Sequence, residues 1–358
     1  MIYCLVLMAL IEFTKRGIYC KQGDFYVDPW WPVDYAVTTH GHSDHVRFGN
    51  KHYLCHTLTK PIIKRRISED LNVETLNYGE SIVRNGVNIS FYPAGHIIGS
   101  AQVRLEYKGE ICVISGDYKT EDDGISDIFE PIKCHSFVSE STFGLPVYKW
   151  QKQDLVFDKI KSWVSDNIPQ QKTSVLIAYS LGKAQRLIKN LAGSVPIYVH
   201  NSIANLNEVI INAGVNLPET IRITPETTKD ELQRGIVIVP PAMRDSRWIK
   251  NLSHPVTGIC SGWMQVRAHR RWQSADAGFA LSDHADWTGL MDAITATGAE
   301  KVYVTHGFTA AFSRFLNDEG IESEEVMTKF GQEDDEENKV DLADGENQKK
   351  ETENISAE

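Results

Sequence analysis

The chain has 358 residues, 42% hydrophobic and 24% charged, with a formal net charge of −11 at pH 7. These values exclude a disordered or fibrous chain and leave room for one large core or two packed domains. From Gln332 to Glu358 there are 11 acidic and 3 basic residues, so this tail holds −8 of the charge and the rest only −3. A near-neutral body neither demands nor forbids a nucleic-acid partner, because phosphates respond to a local groove rather than to the total.

The apolar start Met1–Leu10 lacks a basic beginning and a small-residue cleavage site, and it is too short to span a membrane. It reads as the lead-in to a first strand, with initiation at Met8 as a second reading. Six scattered cysteines without a Cys-x-x-Cys pair fit a reducing compartment better than a disulfide framework. The expectation is a cytoplasmic protein with no membrane partner.

Segments 9–60 and 80–118 read as strand-rich. The apolar run Tyr35–Thr39 looks like a buried strand, and His40-Gly-His42-Ser-Asp44-His45 follows it at once. Four imidazole and carboxylate donors in six residues suit Zn²⁺ and related divalent ions. His40 and His42 alternate on an extended loop and can face one ion, while Asp44 and His45 can turn to a second. A polar turn with chance histidines is the competing reading.

Val83–Tyr92 places Asn85-Gly86 inside a β pattern, and Val103–Ser115 reads as a second hairpin. Between them, Ala94-Gly-His96-Ile-Ile-Gly-Ser100 puts a histidine among glycines, where backbone can approach a metal closely. Asp117 follows the apolar run Ile111–Ile114, and His306 ends the run Val302–Thr305. Each alone is weak. Together they would bring His96, Asp117 and His306 to the 40–45 cluster, giving seven donors for two ions.

From about residue 151 the rhythm changes. Phe157–Val164 and Gly182–Leu191 have helical spacing, while Ser174–Ala178, Ile197–Val199 and Gly235–Pro240 read as short buried strands. Strands alternating with helices indicate a parallel α/β unit. After about residue 279 the chain returns to donor residues, so this unit reads as an insertion. Beyond Gly331 the acidic, aromatic-free tail is expected to be disordered.

His-x-His-x-Asp-His followed by separate His, Asp and His resembles the signature of the metallo-β-lactamase superfamily. That resemblance implies an α/β fold, an αβ/βα sandwich with its site at one edge of two packed sheets. It assigns His40, His42 and His96 to one ion, Asp44, His45 and His306 to the other, and Asp117 to both. Val138-Ser-Glu140-Ser-Thr-Phe-Gly144 and Leu281-Ser-Asp-His284-Ala-Asp286 are similar to the acidic and additional histidine motifs of the β-CASP nucleases. That group carries an inserted α/β cap, and Ala178–Arg186 resembles its strand-loop-helix segment. The implied division is 1–146 and 279–331 for the sandwich, 147–278 for the β-CASP cap, and 332–358 for the tail.

Within that group, Gly23–Trp30, Ser115–Lys119, Glu140–Pro146, Ser261–Met264 and Leu281–Trp287 resemble the bacterial ligase-associated DNA exonucleases. The similarity spans roughly residues 9–330. It implies a DNA repair enzyme using two divalent ions, Zn or alternatively Mn, with an ATP-dependent DNA ligase and a helicase as partners. RNA processing is the alternative within the fold, and a lactonase- or thioesterase-type hydrolase the alternative in chemistry. A non-catalytic nucleic-acid-binding scaffold is a fourth reading, which the complete donor set disfavours.

The catalytic set implied is Asp44, Glu140 and His284. A histidine titrates near neutrality, so His284 suits proton donation to a leaving oxygen, with Glu140 orienting it. Ser180 and Lys183, at the start of a helix, are candidate phosphate contacts, as are Arg267 and Arg270 in a basic cluster. Trp30, Trp31 and Trp263 could stack bases, but core packing is the commoner fate. His52, His56, His135, His200 and His254 match no motif.

Overall fold

The computed structural model describes residues 10–266 and 275–326. The first sheet takes its strands in chain order: β1 (Glu12–Thr14), β2 (Gly17–Cys20), β3 (Phe25–Val27), β4 (Tyr35–Val37), β5 (His52–His56) and β6 (Val73–Leu76). Pairing is antiparallel up to β3 and parallel from β3 to β6. The second sheet begins with β7 (Ser81–Arg84), β8 (Val87–Pro93), β9 (Ala101–Tyr107), β10 (Glu110–Ile114) and β11 (Ser136–Ser141).

The chain then builds a separate sheet from β12 (Thr173–Ile177), β13 (Ile197–Val199), β14 (Ile221–Arg222), β15 (Ile236–Val239), β16 (Pro255–Cys260) and β17 (Ala277–Phe279). Its order is β14-β13-β15-β12-β16-β17, and every pair is parallel. The chain returns to the second sheet with β18 (Lys301–Gly307) beside β11, and β19 (Glu322–Glu325) beyond it. The change of rhythm near residue 151 is thus a change of sheet.

The first two sheets pack face to face through Val27, Val37, Leu54, Ile89, Val103, Leu105 and Ile114. Helix Thr59–Arg66 covers the outer face of the first through Ile63 against Tyr53 and Cys55. Helices Trp287–Thr297 and Thr309–Asp318 cover the second, with Leu290, Ile294 and Phe312 on Val113, Phe137 and Val304. This gives the four-layer sandwich. The third sheet buries both faces, one against helices that include Gln153–Asn167 and Lys183–Leu191. Strands buried on both faces read as continuous apolar runs, which is why Ile236–Val239 was legible.

Both expected hairpins form. Asn85 and Gly86 turn β7 into β8 with φ of 47° and 84°, and Lys108 and Gly109 turn β9 into β10 with 50° and 87°. Two positive φ values in a two-residue loop match the twist of the flanking strands. Strand β16 and the helix Asn201–Asn212 were not expected, because Pro255-Val-Thr-Gly and an Asn-rich helix start hide the periodicity. No helix among the described residues is long and apolar enough to cross a membrane.

His200, without a role in the sequence, caps the helix Asn201–Asn212: its ring accepts a hydrogen bond from the Ser202 amide. Burial lowers its pKa to about 4, against about 6.5 in an unfolded chain. A depressed histidine contributes stability that is present above pH 6.5 and lost as pH falls towards 4. A difference of this size corresponds to about 3 kcal/mol. His200→Asn keeps a cap acceptor but cannot titrate. Urea unfolding at pH 7 and pH 4.5 is expected to show a shallower acid loss in this variant; an unchanged loss contradicts the assignment.

Candidate metal centre

Strand ends deliver the donors. After β4 the chain leaves the sheet at Thr39, whose amide and hydroxyl both donate to Asp28, at 2.8 and 2.6 Å. The loop then folds back, with the amides of His45 and Val46 donating to the His42 carbonyl. His96 follows β8 by way of Gly95, whose φ is 75° and whose Cβ position lies 2.1 Å from the Lys119 carbonyl oxygen. Only glycine fits there. Asp117 follows β10 through Gly116, at φ 58°, and His306 lies near the end of β18 with φ 50°.

The seven donors meet in two groups. His40, His42, His96 and Asp117 each offer an atom within 4.8 Å of one another, and Asp44, His45 and His306 do the same. Nε2 of His40 and of His96 lie 3.2 and 3.1 Å from His42 Nδ1, and 3.5 and 3.8 Å from Asp117 Oδ2. His45 Nε2 is 3.2 Å from the same Asp117 oxygen and 3.4 Å from Asp44 Oδ2. Asp117 therefore touches both groups. All are buried except His306, which is half-buried.

Two observations test whether these residues fit metal ions. Asp117 Oδ1 and Asp44 Oδ1 are buried without a hydrogen-bond partner, and Asp117 Oδ2 and His45 Nε2, although 3.2 Å apart, are not aligned for a hydrogen bond. Orphaned buried acceptors are costly unless a cation satisfies them. The opposite ring nitrogens, by contrast, are engaged. His40 Nδ1 meets Thr39 Oγ1 at 3.1 Å, His42 Nε2 the Leu181 carbonyl at 3.3 Å, His45 Nδ1 Asp28 at 2.7 Å, and His96 Nδ1 the Asp283 carbonyl at 2.9 Å. Metal-binding histidines are oriented in this way, by a bond to the nitrogen that does not coordinate. The donors are all nitrogen and oxygen, which suits Zn or Mn rather than a thiolate-seeking ion.

The electrostatics agree. Burial pushes His40 and His42 well below the ordinary histidine value and lowers His96 to about 4, keeping them neutral and able to coordinate. Burial also opposes charge on His45, yet Asp44, Asp117 and Asp28 around it raise its pKa well above the ordinary value. Those carboxylates favour a cation, and a proton and a divalent ion compete for the same negative charge.

A third group joins the first two. The Glu140 carboxylate reaches His284 Nδ1 at 2.9 Å, and these two residues with Asp117 offer atoms within 4.8 Å of one another. Glu140 Oε1 also accepts from the Tyr118 amide at 2.7 Å, and the His284 and His96 rings lie 4.5 Å apart. Glu140 is thus held on two sides and fixes the His284 ring beside the donors.

The candidate phosphate contacts stand differently. Ser180 bonds Ser202 at 3.0 Å, and Lys183 Nζ lies 3.5 Å from Asp283 Oδ2; both residues are buried. Arg267, Arg270 and the acidic tail lie outside the described residues. Trp263 is buried in the core as expected, whereas Trp31 is 50% exposed. Trp30 lines a small pocket with Asp44, His45 and His306. Sequence reasoning missed Asp28 and Asp283 as supports of the site. Asp28 and Asp283 stood in quoted motifs, and the positive φ of Asp28, 44°, marks a special turn only in three dimensions.

No family model matches the chain. Among curated proteins, one described as "Probable DNA ligase" from Opitutus terrae is 29% identical over 318 residues, 87% of this chain and 30% of that protein. "RNase J-like protein" from Methanocaldococcus jannaschii is 26% identical over 215 residues, 50% of each. "Cleavage and polyadenylation specificity factor 73" from Drosophila melanogaster is 24% identical over 194 residues, 51% of this chain and 27% of that protein. These similarities are consistent with the β-CASP group of the metallo-β-lactamase superfamily, which the donor motifs resemble.

The chain spans half or less of the length of these relatives. Its fold also resembles a solved protein of unknown function from Enterococcus faecalis V583, with a TM-score of 0.55 at 10% identity over 83% of this chain and 80% of that one.

Proposed function

We propose that this β-CASP protein is a two-metal-dependent exonuclease that hydrolyses DNA phosphodiester bonds, acting in repair alongside an ATP-dependent DNA ligase. The observation that carries the nuclease reading is the buried Glu140–His284 pair set against the donor cluster. We assign His40, His42 and His96 to one divalent ion, Asp44, His45 and His306 to the other, and Asp117 to both. Residues 147–278, which include the parallel sheet except the last residue of β17, would form the cap. When bound, such ions supply a nucleophile at neutral pH and neutralise charge on the phosphate.

The residues of this chain do the rest. Glu140 occupies His284 Nδ1, so a proton delivered to the leaving oxygen comes from Nε2. Asp28, Thr39 and the Asp283 carbonyl hold the ligand rings in register. Lactone or thioester hydrolysis does not require a second acid–base pair beside the donors, which disfavours that alternative. The DNA reading is supported by the relative described as a ligase, aligned over most of this chain. RNA processing remains a second reading, favoured by the relatives named for it.

End-labelled DNA and RNA strands of matched sequence, single- and double-stranded, separate the two with Zn²⁺ or Mn²⁺ present. Stepwise shortening of DNA is expected. Strong cleavage of RNA with none of DNA would overturn the DNA assignment and leave the nuclease assignment standing.

A further inference from the structure

We propose that Arg186 is a positioning residue through which the parallel-sheet unit sets how tightly His40, His42, His96 and Asp117 hold their ion. The inference rests on reading those four residues as ligands. Arg186 is 2% exposed and lies in the helix Lys183–Leu191, outside the donor cluster. Its Nη1 donates to the Ser282 carbonyl and lies 3.4 Å from Asp283 Oδ1. At its other edge, Nε and Nη2 donate to Gln153 Oε1 at 3.2 and 2.9 Å. The guanidinium is therefore clamped on both sides, a use of its planar fork that lysine cannot reproduce.

Asp283 is also buried, at 3% exposure, and Lys183 approaches its second oxygen at 3.5 Å. A buried carboxylate stripped of its cations is strongly unfavourable, so the two cations give the segment Ser282–His284 one preferred place. That segment acts in two directions. The Asp283 carbonyl accepts from His96 Nδ1 at 2.9 Å, which turns Nε2 towards His42 and Asp117. His284, the next residue, has its amide bonded to Ser282 Oγ at 3.0 Å and its ring to Glu140.

The start of the same helix packs directly on the loop that carries His96. A Cβ at Gly182 would lie 2.4 Å from Ile97 Cγ2 and 3.4 Å from Asp283 Oδ2. Helix, Asp283 and His96 loop thus form one continuous contact. A purely structural arginine would affect only folding. A positioning arginine alters the donor cluster in protein that remains folded.

The test is calorimetric titration of the metal-free full chain with Mn²⁺ alone, for wild type, Arg186→Met and Arg186→Lys, with folding checked by circular dichroism. Partners that orient a metal-binding histidine are worth about 10–100-fold in affinity. Arg186 acts one bond further out, so Arg186→Met is expected to weaken binding about tenfold. Turnover should fall while KM for the nucleic acid is kept. Arg186→Lys retains the charge without the fork, is expected to fold where the methionine variant does not, and should lose several-fold.

In Arg186→Met/Asp283→Asn the carboxylate that Lys183 alone would have to balance is gone, and part of the affinity should return. Wild-type affinity in a folded single variant, or a rise in KM alone, overturns the proposal. If wild type itself takes up neither Mn²⁺ nor Zn²⁺, the ligand reading fails instead, so the two failures are distinguishable.

Discussion

Asp117→Ala is expected to release metal from both donor groups at once and to abolish hydrolysis. Asp117 Oδ2 lies 3.5 Å from His40 Nε2 and 3.2 Å from His45 Nε2, so one carboxylate serves both clusters. Burial opposes its ionised form, yet His45 beside it holds its pKa well below the usual carboxylate range. The oxygens are therefore charged and ready to coordinate. A residue that only orients a ligand is worth about 10–100-fold. A donor shared by two ions should exceed that, with more than about 100-fold lost in activity. Elemental analysis after dialysis gives the metal count directly; wild-type metal content in Asp117→Ala would remove Asp117 from the centre.

His284→Ala should separate metal binding from turnover. His284 is no member of either proposed ligand set, and its Nδ1 is bound by Glu140 at 2.9 Å. Both ions should stay, while cleavage falls by the factor general acid catalysis commonly supplies, about 10²–10⁴-fold. A substrate whose leaving group needs no proton, such as a p-nitrophenyl phosphodiester, should lose much less. Equal losses on both substrates would mean that His284 supports the structure of the site rather than donating a proton. Wild-type cleavage of DNA would remove the assignment altogether.

Much of the centre was legible because its chemistry is local. His40, His42, Asp44 and His45 fall within six residues, and His96, Asp117 and His306 each stand at or just beyond a strand end with glycine beside them. Alternating or continuous apolar runs placed those strands, and Asn85-Gly86 placed a hairpin. Lys183 shows where such reading stops. Beside a helix start it reads as a phosphate contact, yet its ammonium lies against a buried carboxylate from a segment late in the chain. Trp31 shows the same limit: its type suggested a core position, and the fold leaves it half exposed.

By itself, then, the sequence determined the donor types, their attachment to strand ends and the presence of a second α/β unit. These depend on residue identity and short-range periodicity. Only the tertiary structure decided which nitrogen of each histidine faces the cluster. That choice is set by the partner of the opposite nitrogen: Asp28 for His45, the Leu181 carbonyl for His42 and the Asp283 carbonyl for His96. These partners come from separate segments, brought within hydrogen-bond reach only when the sheets pack, and no local pattern encodes that approach.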